Sequence, residues 1–104
     1  MIIATYYSGT IDFYSRSVVV AGSLRGLSTG CRRGWASAET ASGTVLDYNT
    51  TSPTCTGPVH REIPLEADVA GGAGVVQVWL IDEANNRLLV GCTINRGQDQ
   101  CVIF

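Results

Sequence analysis

The sequence contains no lysine, and its seven basic residues are all arginine. Charged residues make up only 15% of the chain, and the net charge is −2. A protein that binds nucleic acid needs a basic surface, because binding depends on neutralising phosphates and releasing their counterions. The composition therefore predicts no nucleic-acid partner, and it provides no polybasic patch for a membrane surface.

Long apolar runs are also lacking, since none approaches about 18 residues, the length of a membrane-spanning helix. We therefore expect no membrane insertion. The first residues have neither a basic region nor a long apolar region, so they do not read as a signal peptide. Apolar residues make up 45% of the 104 residues, which predicts one folded domain spanning residues 1–104 rather than a disordered chain.

Histidine occurs once, at His60, so any imidazole-based mechanism depends on that residue. Residues 26–30 match the nucleophile-elbow pattern G-x-S-x-G, but the helix that must follow the serine is not predicted. No cysteines have the close spacing of a zinc site. We therefore predict that the protein is not an enzyme and that it holds neither a metal nor a cofactor.

Four cysteines are present, and an even number in a small chain favours two disulfides and an oxidising compartment. Three pairings are possible. We favour Cys31–Cys55 and Cys92–Cys101, because each closes a local loop. The protein is accordingly expected to be secreted, and the arginine-only composition is an association that favours a bacterial source.

Alternation of apolar and polar residues dominates the chain and predicts strands. The clearest case is residues 59–69, where Arg61 interrupts an otherwise apolar face and Pro64 indicates an edge strand or a bulge. Shorter strands are predicted at residues 2–7, 10–14, 17–23 and 44–48, with Ser8-Gly9 separating the first two. Residues 49–58 are expected to form a loop.

Two hairpins are expected in the second half of the chain. The polar residues DEANN, 82–86, predict a turn between two apolar strands. The cross-strand pairs expected there are Asp82–Arg87, Ile81–Leu88 and Trp79–Val90. The second hairpin would turn at Arg96-Gly97 inside the Cys92–Cys101 loop. It would place Thr93 opposite Gln100 and Ile94 opposite Asp99.

These strands predict an all-β fold, an antiparallel β-sandwich that is immunoglobulin-like or a small Greek key. About seven to nine short strands are expected on the pattern of such folds. Trp79 is expected in the core or half-buried. Alternation from Cys31 places Arg33 and Trp35 on the face of Cys31, with Trp35 beside the disulfide and Arg33 along its ring. Arg32 faces the other way, beside small residues.

Exposed aromatic and arginine side chains are the candidates for contacting a partner, because such residues anchor interfaces and stack on sugars. An arginine on an apolar strand face needs a buried anionic or carbonyl partner, lines a cleft, or reaches out to solvent. The candidate binding residues are Tyr6, Tyr7, Tyr14, Arg32, Arg61 and Arg96.

The sequence thus favours a small secreted, non-enzymatic module that binds a protein or a carbohydrate, within a larger extracellular assembly. The alternative is a secreted protease inhibitor that presents Arg96 in the Cys92–Cys101 loop. The uncharged N-terminal strand also predicts self-association if it is not paired within the chain.

Overall fold

The computed structural model describes residues 5–97 and the backbone of residues 100–103. Within these residues the regular structure is entirely β, which confirms the predicted all-β class, and no helix is present that would be long enough to cross a membrane. The eight strands are β1 (Tyr6–Phe13), β2 (Ser17–Arg25), β3 (Arg32–Glu39), β4 (Val45–Thr50), β5 (Val59–Glu66), β6 (Val75–Asp82), β7 (Arg87–Asn95) and β8 (Gln100–Ile103).

The strands form two four-stranded sheets. The first sheet has the order β5-β2-β1-β8 and the second sheet the order β4-β3-β6-β7, with antiparallel neighbours throughout. The hairpins β1-β2, β3-β4 and β6-β7 each stay within one sheet. The other four connections pass from one sheet to the other, so the two strands that each of them joins lie in different sheets.

One buried apolar cluster receives side chains from both sheets. Its fully buried members include Leu24 and Ile63 of the first sheet and Val76 and Leu80 of the second, all with no exposed surface. Removing apolar surface from water is the main favourable term in folding, at about 25 cal/mol per Å². The cluster therefore holds the inner faces of the two sheets in contact.

One of the two central strands of the second sheet, β3, contributes only small side chains to this cluster. The inward positions of β3 are Gly34, Ala36 and Ala38, all buried. A Cβ atom at Gly34 would lie 2.8 Å from Cε2 of Tyr7, so the Tyr7 ring rests directly on the backbone of β3. Large side chains of the first sheet thus fill the space that β3 leaves.

Side-chain hydrogen bonds satisfy backbone amides of β4 and β5, which are neighbouring edge strands of the two sheets. On β4 the amides of Tyr48 and Thr50 donate to the carboxylate of Asp47 and the amide oxygen of Asn49, each at 2.9 Å. The other oxygen of Asp47 accepts from the amide of Glu66 on β5, also at 2.9 Å. Edge amides that are already satisfied do not pair with another chain.

The strand predicted over residues 59–69 is present over residues 59–66, and Pro64 lies on an edge strand, one of the two positions predicted for it. Ile63 and Leu65 point into the core, while Pro64 is exposed on β5, the outermost strand of the first sheet. Proline has no amide hydrogen for a ladder, which is why an edge strand tolerates it.

The β6-β7 hairpin matches the prediction near its turn and departs from it farther along. The pairs Asp82–Arg87 and Ile81–Leu88 are present. Trp79 lies opposite Gly91 rather than Val90, because the register shifts between Leu80 and Ile81 and leaves Leu89 as an extra residue. This bulge moves the glycine next to the tryptophan.

The predicted C-terminal hairpin is wrong. β8 pairs with β1 of the first sheet, with Gln100 opposite Thr10, so Gln100 does not face Thr93. The physical reason is that β1 has an edge left unpaired by β2, and β8 fills it. Asp99 lies outside the described residues. Residues 7–10 of the N-terminal strand are therefore paired on both sides, and self-association stays a prediction.

The predicted break at Ser8-Gly9 is also wrong, since β1 runs through both residues. Gly9 lies opposite Gly22 of β2. A Cβ atom at Gly9 would lie 1.9 Å from the backbone oxygen of Ala21. Glycine here permits a close approach of the two strands rather than a turn.

The disulfide Cys31–Cys55 is present as predicted, which confirms one of the two bridges. It joins the start of β3 to the segment before β5. Beside it, Arg32 and Thr54 exchange backbone hydrogen bonds of 2.8 and 2.9 Å. The Cys92–Cys101 bridge stays a prediction, because the side chain of Cys101 lies outside the described residues.

We expect Gly9→Ala to lower the free energy of unfolding by about 2–3 kcal/mol, as overpacking does. The added methyl group has no space against the backbone of β2. Urea unfolding followed by circular dichroism measures the change. Thr10→Ala, an exposed neighbour in the same strand, is the control and should cost less than about 1 kcal/mol. Equal losses in both variants would contradict the close approach.

Replacing Cys31 and Cys55 together by alanine should lower the free energy of unfolding by about 3 kcal/mol, because the unfolded chain regains the entropy of an open loop. The two cysteines are separated by 24 residues. The urea midpoint measures the effect, and the exposed neighbour Thr56→Ala serves as the control. A double variant with the wild-type midpoint would show that the bridge contributes nothing.

Candidate functional site

The six predicted binding residues do not form one surface. Tyr6 and Tyr7 are neighbours on β1, Tyr14 lies in the β1-β2 turn, Arg32 begins β3, Arg61 lies on β5, and Arg96 follows β7. Tyr14 is the most open of the three tyrosines, with 52% of its surface exposed. Tyr6 is half-buried.

Tyr7 is a core residue with 2% of its surface exposed. Its hydroxyl donates to the backbone oxygen of Arg61 at 3.0 Å. Burial raises the pKa of the Tyr7 phenol above its usual value, and the charge of Glu62 adds to this effect. The neutral, hydrogen-bonded phenol is thus the form that the fold accommodates.

Arg61 lies on the inward side of β5, as the alternation predicts, and is half-buried. Its Nε is buried and has no acceptor within the described residues. Tyr7 bonds to the backbone oxygen of Arg61. Arg61 is therefore placed at the margin of the core.

Arg32 is engaged within the protein. Its guanidinium lies 3.4 Å from Asp82 and 3.2 Å from the backbone oxygen of Cys31, and it donates to the hydroxyl of Thr5 at 3.3 Å. Only 16% of the side chain is exposed. These contacts join the start of β3 to the end of β6, so little of Arg32 is available to a partner.

Arg96 is also held against the protein. Its guanidinium donates to the backbone oxygen of Tyr14 at 2.8 Å and lies 5.4 Å from the centre of the Phe13 ring. Both contacts fix the end of β7 on the β1-β2 turn. A protease inhibitor presents its arginine to the enzyme, whereas this side chain is turned back onto its own chain.

The outer side of the second sheet carries the largest group of aromatic side chains among the described residues. The alternation predicted from Cys31 is confirmed, since Gly34 and Ala36 point inward and Trp35 outward. Trp35 lies directly opposite Trp79 of β6, and Ser37 opposite Tyr48 of β4. We call this outer side, with Tyr48, Trp35, Trp79 and Leu88, the aromatic face.

Trp35 is positioned by Tyr48 rather than by the disulfide. Their ring centres are 6.3 Å apart and their planes are inclined by 30°. The two residues are diagonal neighbours on adjacent strands, a separation that aromatic side chains bridge. Tyr48 is 66% exposed, so this pair lies open to solvent on one side. The sequence predicted Trp35 beside the disulfide at Cys31, whereas its ring contact in the structure is with Tyr48.

Trp79 lies flat over the neighbouring strand. A Cβ atom at Gly91 would be 2.5 Å from Cδ2 and 2.8 Å from Cε3 of the indole, so the ring occupies the space above Gly91. The indole Nε1 donates to Oε1 of Gln77 at 3.4 Å. One face of the indole therefore rests on the backbone of β7, and the other face is directed away from the sheet.

The charged groups of this face are compensated. Arg33 forms a salt bridge with Glu83 and a hydrogen bond to Asn86, both in the β6-β7 turn, instead of lying along Trp35. Glu39, at the far end of β3, is 9% exposed and accepts from the hydroxyl of Ser37 at 3.1 Å. The centre of the face, between these two groups, is uncharged.

A shallow groove of about 580 Å³ runs across the aromatic face. Its apolar lining is Trp35, Trp79, Ile81 and Leu88, and its polar lining is Arg33, Thr50, Gln77 and Asn86. Ligand sites combine apolar and aromatic walls with a few polar groups in this way. The groove is therefore the candidate functional site.

Sequence reasoning assigned Trp79 to the core or to a half-buried position, and only the second is correct. In β6 the inward residues are Val76, Val78 and Leu80. The polar Gln77 shares the face of Trp79, and this single polar residue was the signal that the face points outward. Because the other residues from Val75 to Ile81 are apolar on both sides, the signal was weak.

Neither catalytic pattern considered in the sequence is assembled with the aromatic face. Leu27 and Gly30 exchange backbone hydrogen bonds of 2.9 Å, so Ser28 lies in a tight turn that leads into β3, not into a helix. His60 lies 3.0 Å from Glu62 on the exposed side of β5. In the part of the chain that the structure describes, no three acidic, histidine or cysteine side chains converge as metal ligands.

Comparison with protein-family profiles, with curated proteins and with solved structures finds no match for this chain. Its function is therefore argued from the aromatic face itself.

The buried phenol of Tyr7 predicts a loss of stability in alkaline solution. Its folded pKa lies above the usual value of about 10, so the unfolded chain loses this proton first. The stabilisation is complete below about pH 10 and declines above it by about 1.4 kcal/mol per pH unit. Tyr7→Phe should remove this component, measured by urea unfolding between pH 8 and 11. Tyr14→Phe is the control, and an unchanged slope in Tyr7→Phe would contradict the assignment.

Proposed function

We propose that this protein is a small secreted, non-enzymatic binding module whose contact surface is the aromatic face. The observation that carries the proposal is the placement of Trp35 and Trp79, opposite each other on the outer side of a sheet whose inner side already supplies the core. Both tryptophans keep part of their surface exposed on this outer side. They are the side chains most enriched at the centres of binding sites.

The fixed geometry of the face supports this role. Trp79 is seated on Gly91, and Arg33 is held by Glu83 and Asn86. Side chains that are already ordered lose little conformational entropy when a partner binds. The aromatic face is thus prepared for contact with a protein or a carbohydrate.

We propose that the two sheets form a sandwich and that this sandwich is immunoglobulin-like. In an immunoglobulin constant domain, strands A, B, E and D form one sheet and strands C, F and G the other. Here β1, β2 and β5 lie together, as A, B and E do, and β3, β6 and β7 lie together, as C, F and G do. β4 lies beside β3 rather than beside β5, and β8 is added beside β1. The strand order supports the proposal with these two differences.

Secretion is supported by the Cys31–Cys55 disulfide, since such bridges persist in oxidising compartments. We propose Cys92–Cys101 as a second bridge. Cys92 lies on β7, an edge of the second sheet, and the backbone of Cys101 lies on β8, an edge of the first. A bridge between them would join the two sheets at the side opposite the β4 and β5 edges.

The inhibitor alternative is less well supported. It depends on an Arg96 side chain that is presented to the enzyme, whereas this guanidinium, although on an exposed residue, is bound to the β1-β2 turn through Tyr14 and Phe13. The enzyme alternative depends on His60, which pairs with Glu62 on the first sheet, away from the aromatic face.

The double variant Trp35→Ala/Trp79→Ala tests the proposal. Immobilised wild-type protein and variant are compared for retention from two panels, one of extracellular polysaccharides and one of secreted and cell-surface proteins. We expect the wild type to retain at least one component and the variant to bind it about tenfold more weakly or worse, as loss of interface anchors does.

Tyr14→Ala, which removes an exposed tyrosine outside the aromatic face, is the matched control and should bind like the wild type. Circular dichroism establishes that each variant is folded. Equal retention of every component by the wild type and the double variant would refute the aromatic face as the contact surface.

A further inference from the structure

We propose that the ligand of the aromatic face is an uncharged polysaccharide, with one sugar ring stacked on the outward face of Trp79 and the chain crossing the strands toward Trp35 and Tyr48. This inference rests on the proposed function, because it specifies the partner of the same surface.

The aromatic side chains extend across the whole width of the second sheet. Tyr48 belongs to β4, Trp35 to β3 and Trp79 to β6, and the Trp79 ring lies over Gly91 of β7. Neighbouring strands are about 4.8 Å apart, so the face spans about 14 Å across the strands. An extended chain of several pyranose units matches such a flat, elongated surface better than a compact small molecule does.

The outward face of Trp79 suits a sugar ring. A pyranose exposes C–H groups on its faces, and these pack on the electron-rich face of an indole as weak X–H···π contacts. Its hydroxyl groups point outward from the rim of the ring and need hydrogen-bond partners. Thr50, Gln77 and Asn86 line the groove beside the two indoles and supply hydroxyl and amide groups for them.

The charge of the face selects for an uncharged ligand. Arg33 is the cation that the strand register places on this face within the described residues, and it is paired with Glu83. An anionic chain therefore meets no unpaired cation there. A cationic chain meets only Glu39, which is 9% exposed and hydrogen-bonded to Ser37.

Gly91, which has no side chain, leaves the space in which the Trp79 indole lies over β7. A methyl group at this position would lie within 2.8 Å of two indole atoms and 2.6 Å from the backbone oxygen of Val78, so the ring would have to leave its seat and the local pairing of β6 with β7 would also have to shift. The variant Gly91→Ala therefore displaces the ring without deleting it. This separates the geometry of the platform from the mere presence of tryptophan.

Tryptophan fluorescence reports binding to the aromatic face directly, because the only two tryptophans of the chain, Trp35 and Trp79, both lie on this face. Tryptophan emission is titrated with cellohexaose, xylohexaose and fully N-acetylated chitohexaose as uncharged probes and with hexagalacturonate as the anionic match. We expect a saturable change with at least one uncharged probe and none with hexagalacturonate.

For that probe, Trp79→Ala and Gly91→Ala should each reduce the association constant about tenfold or more, whereas Tyr14→Ala should leave it unchanged. Isothermal titration calorimetry measures these constants independently of emission. If Gly91→Ala does not fold, Gln77→Ala, which removes the partner of the indole Nε1, replaces it and should weaken binding.

Three results would overturn the inference: no saturable change with any uncharged probe, binding of hexagalacturonate alone, or wild-type affinity in Trp79→Ala. If oligosaccharides fail while the double variant loses a protein component of the panels, the polysaccharide inference fails and the proposed function stands. If the double variant also retains every component, both fail.

Discussion

The contact between the Tyr7 ring and Gly34 determines how the second sheet is built. Because Gly34, Ala36 and Ala38 are the inward residues of β3, the first sheet approaches this strand closely and fills the space with its own large side chains. The inner side of β3 therefore has no room for an indole. Trp35, in the alternate position, faces outward as a direct consequence.

A second contact between an aromatic ring and a glycine acts on the other side of the same sheet. The Trp79 indole lies on Gly91, and the bulge at Leu89 brings these two residues opposite each other. Without the bulge, Val90 would occupy that position and its branched side chain would lift the ring. The two glycines together determine which ring fills the core and which remains available to a ligand.

The sequence predicted local features well and long-range partners poorly. Alternation identified the faces of β3 and β5, and Pro64 marked an edge strand, because each signal is contained in a few neighbouring residues. The partner of β8 was missed, since an apolar strand fits either β7 or β1 and only the complete sheet decides. Gly9 was mistaken for a turn because a glycine that permits close strand approach has the same local signature.

The candidate site was only partly visible in the sequence. Interface anchors were sought among tyrosines and arginines, whereas Trp79 was assigned by its apolar surroundings to the core or its margin. The pairing of Trp79 with Gly91 depends on a one-residue bulge, which no local pattern specified. The compensation of Arg33 by Glu83 likewise depends on where the β6-β7 turn lies relative to β3.

The most direct test of the aromatic platform is the proton NMR shift of the Gly91 Hα atoms. An indole lying flat over this glycine shields them by its ring current. If the Trp79 indole is seated on Gly91, the Gly91 Hα resonances lie strongly upfield and show nuclear Overhauser contacts to the Trp79 ring. Both features are lost in Trp79→Ala. Ordinary glycine shifts that do not change in Trp79→Ala would contradict the seated indole on which the proposed binding surface depends.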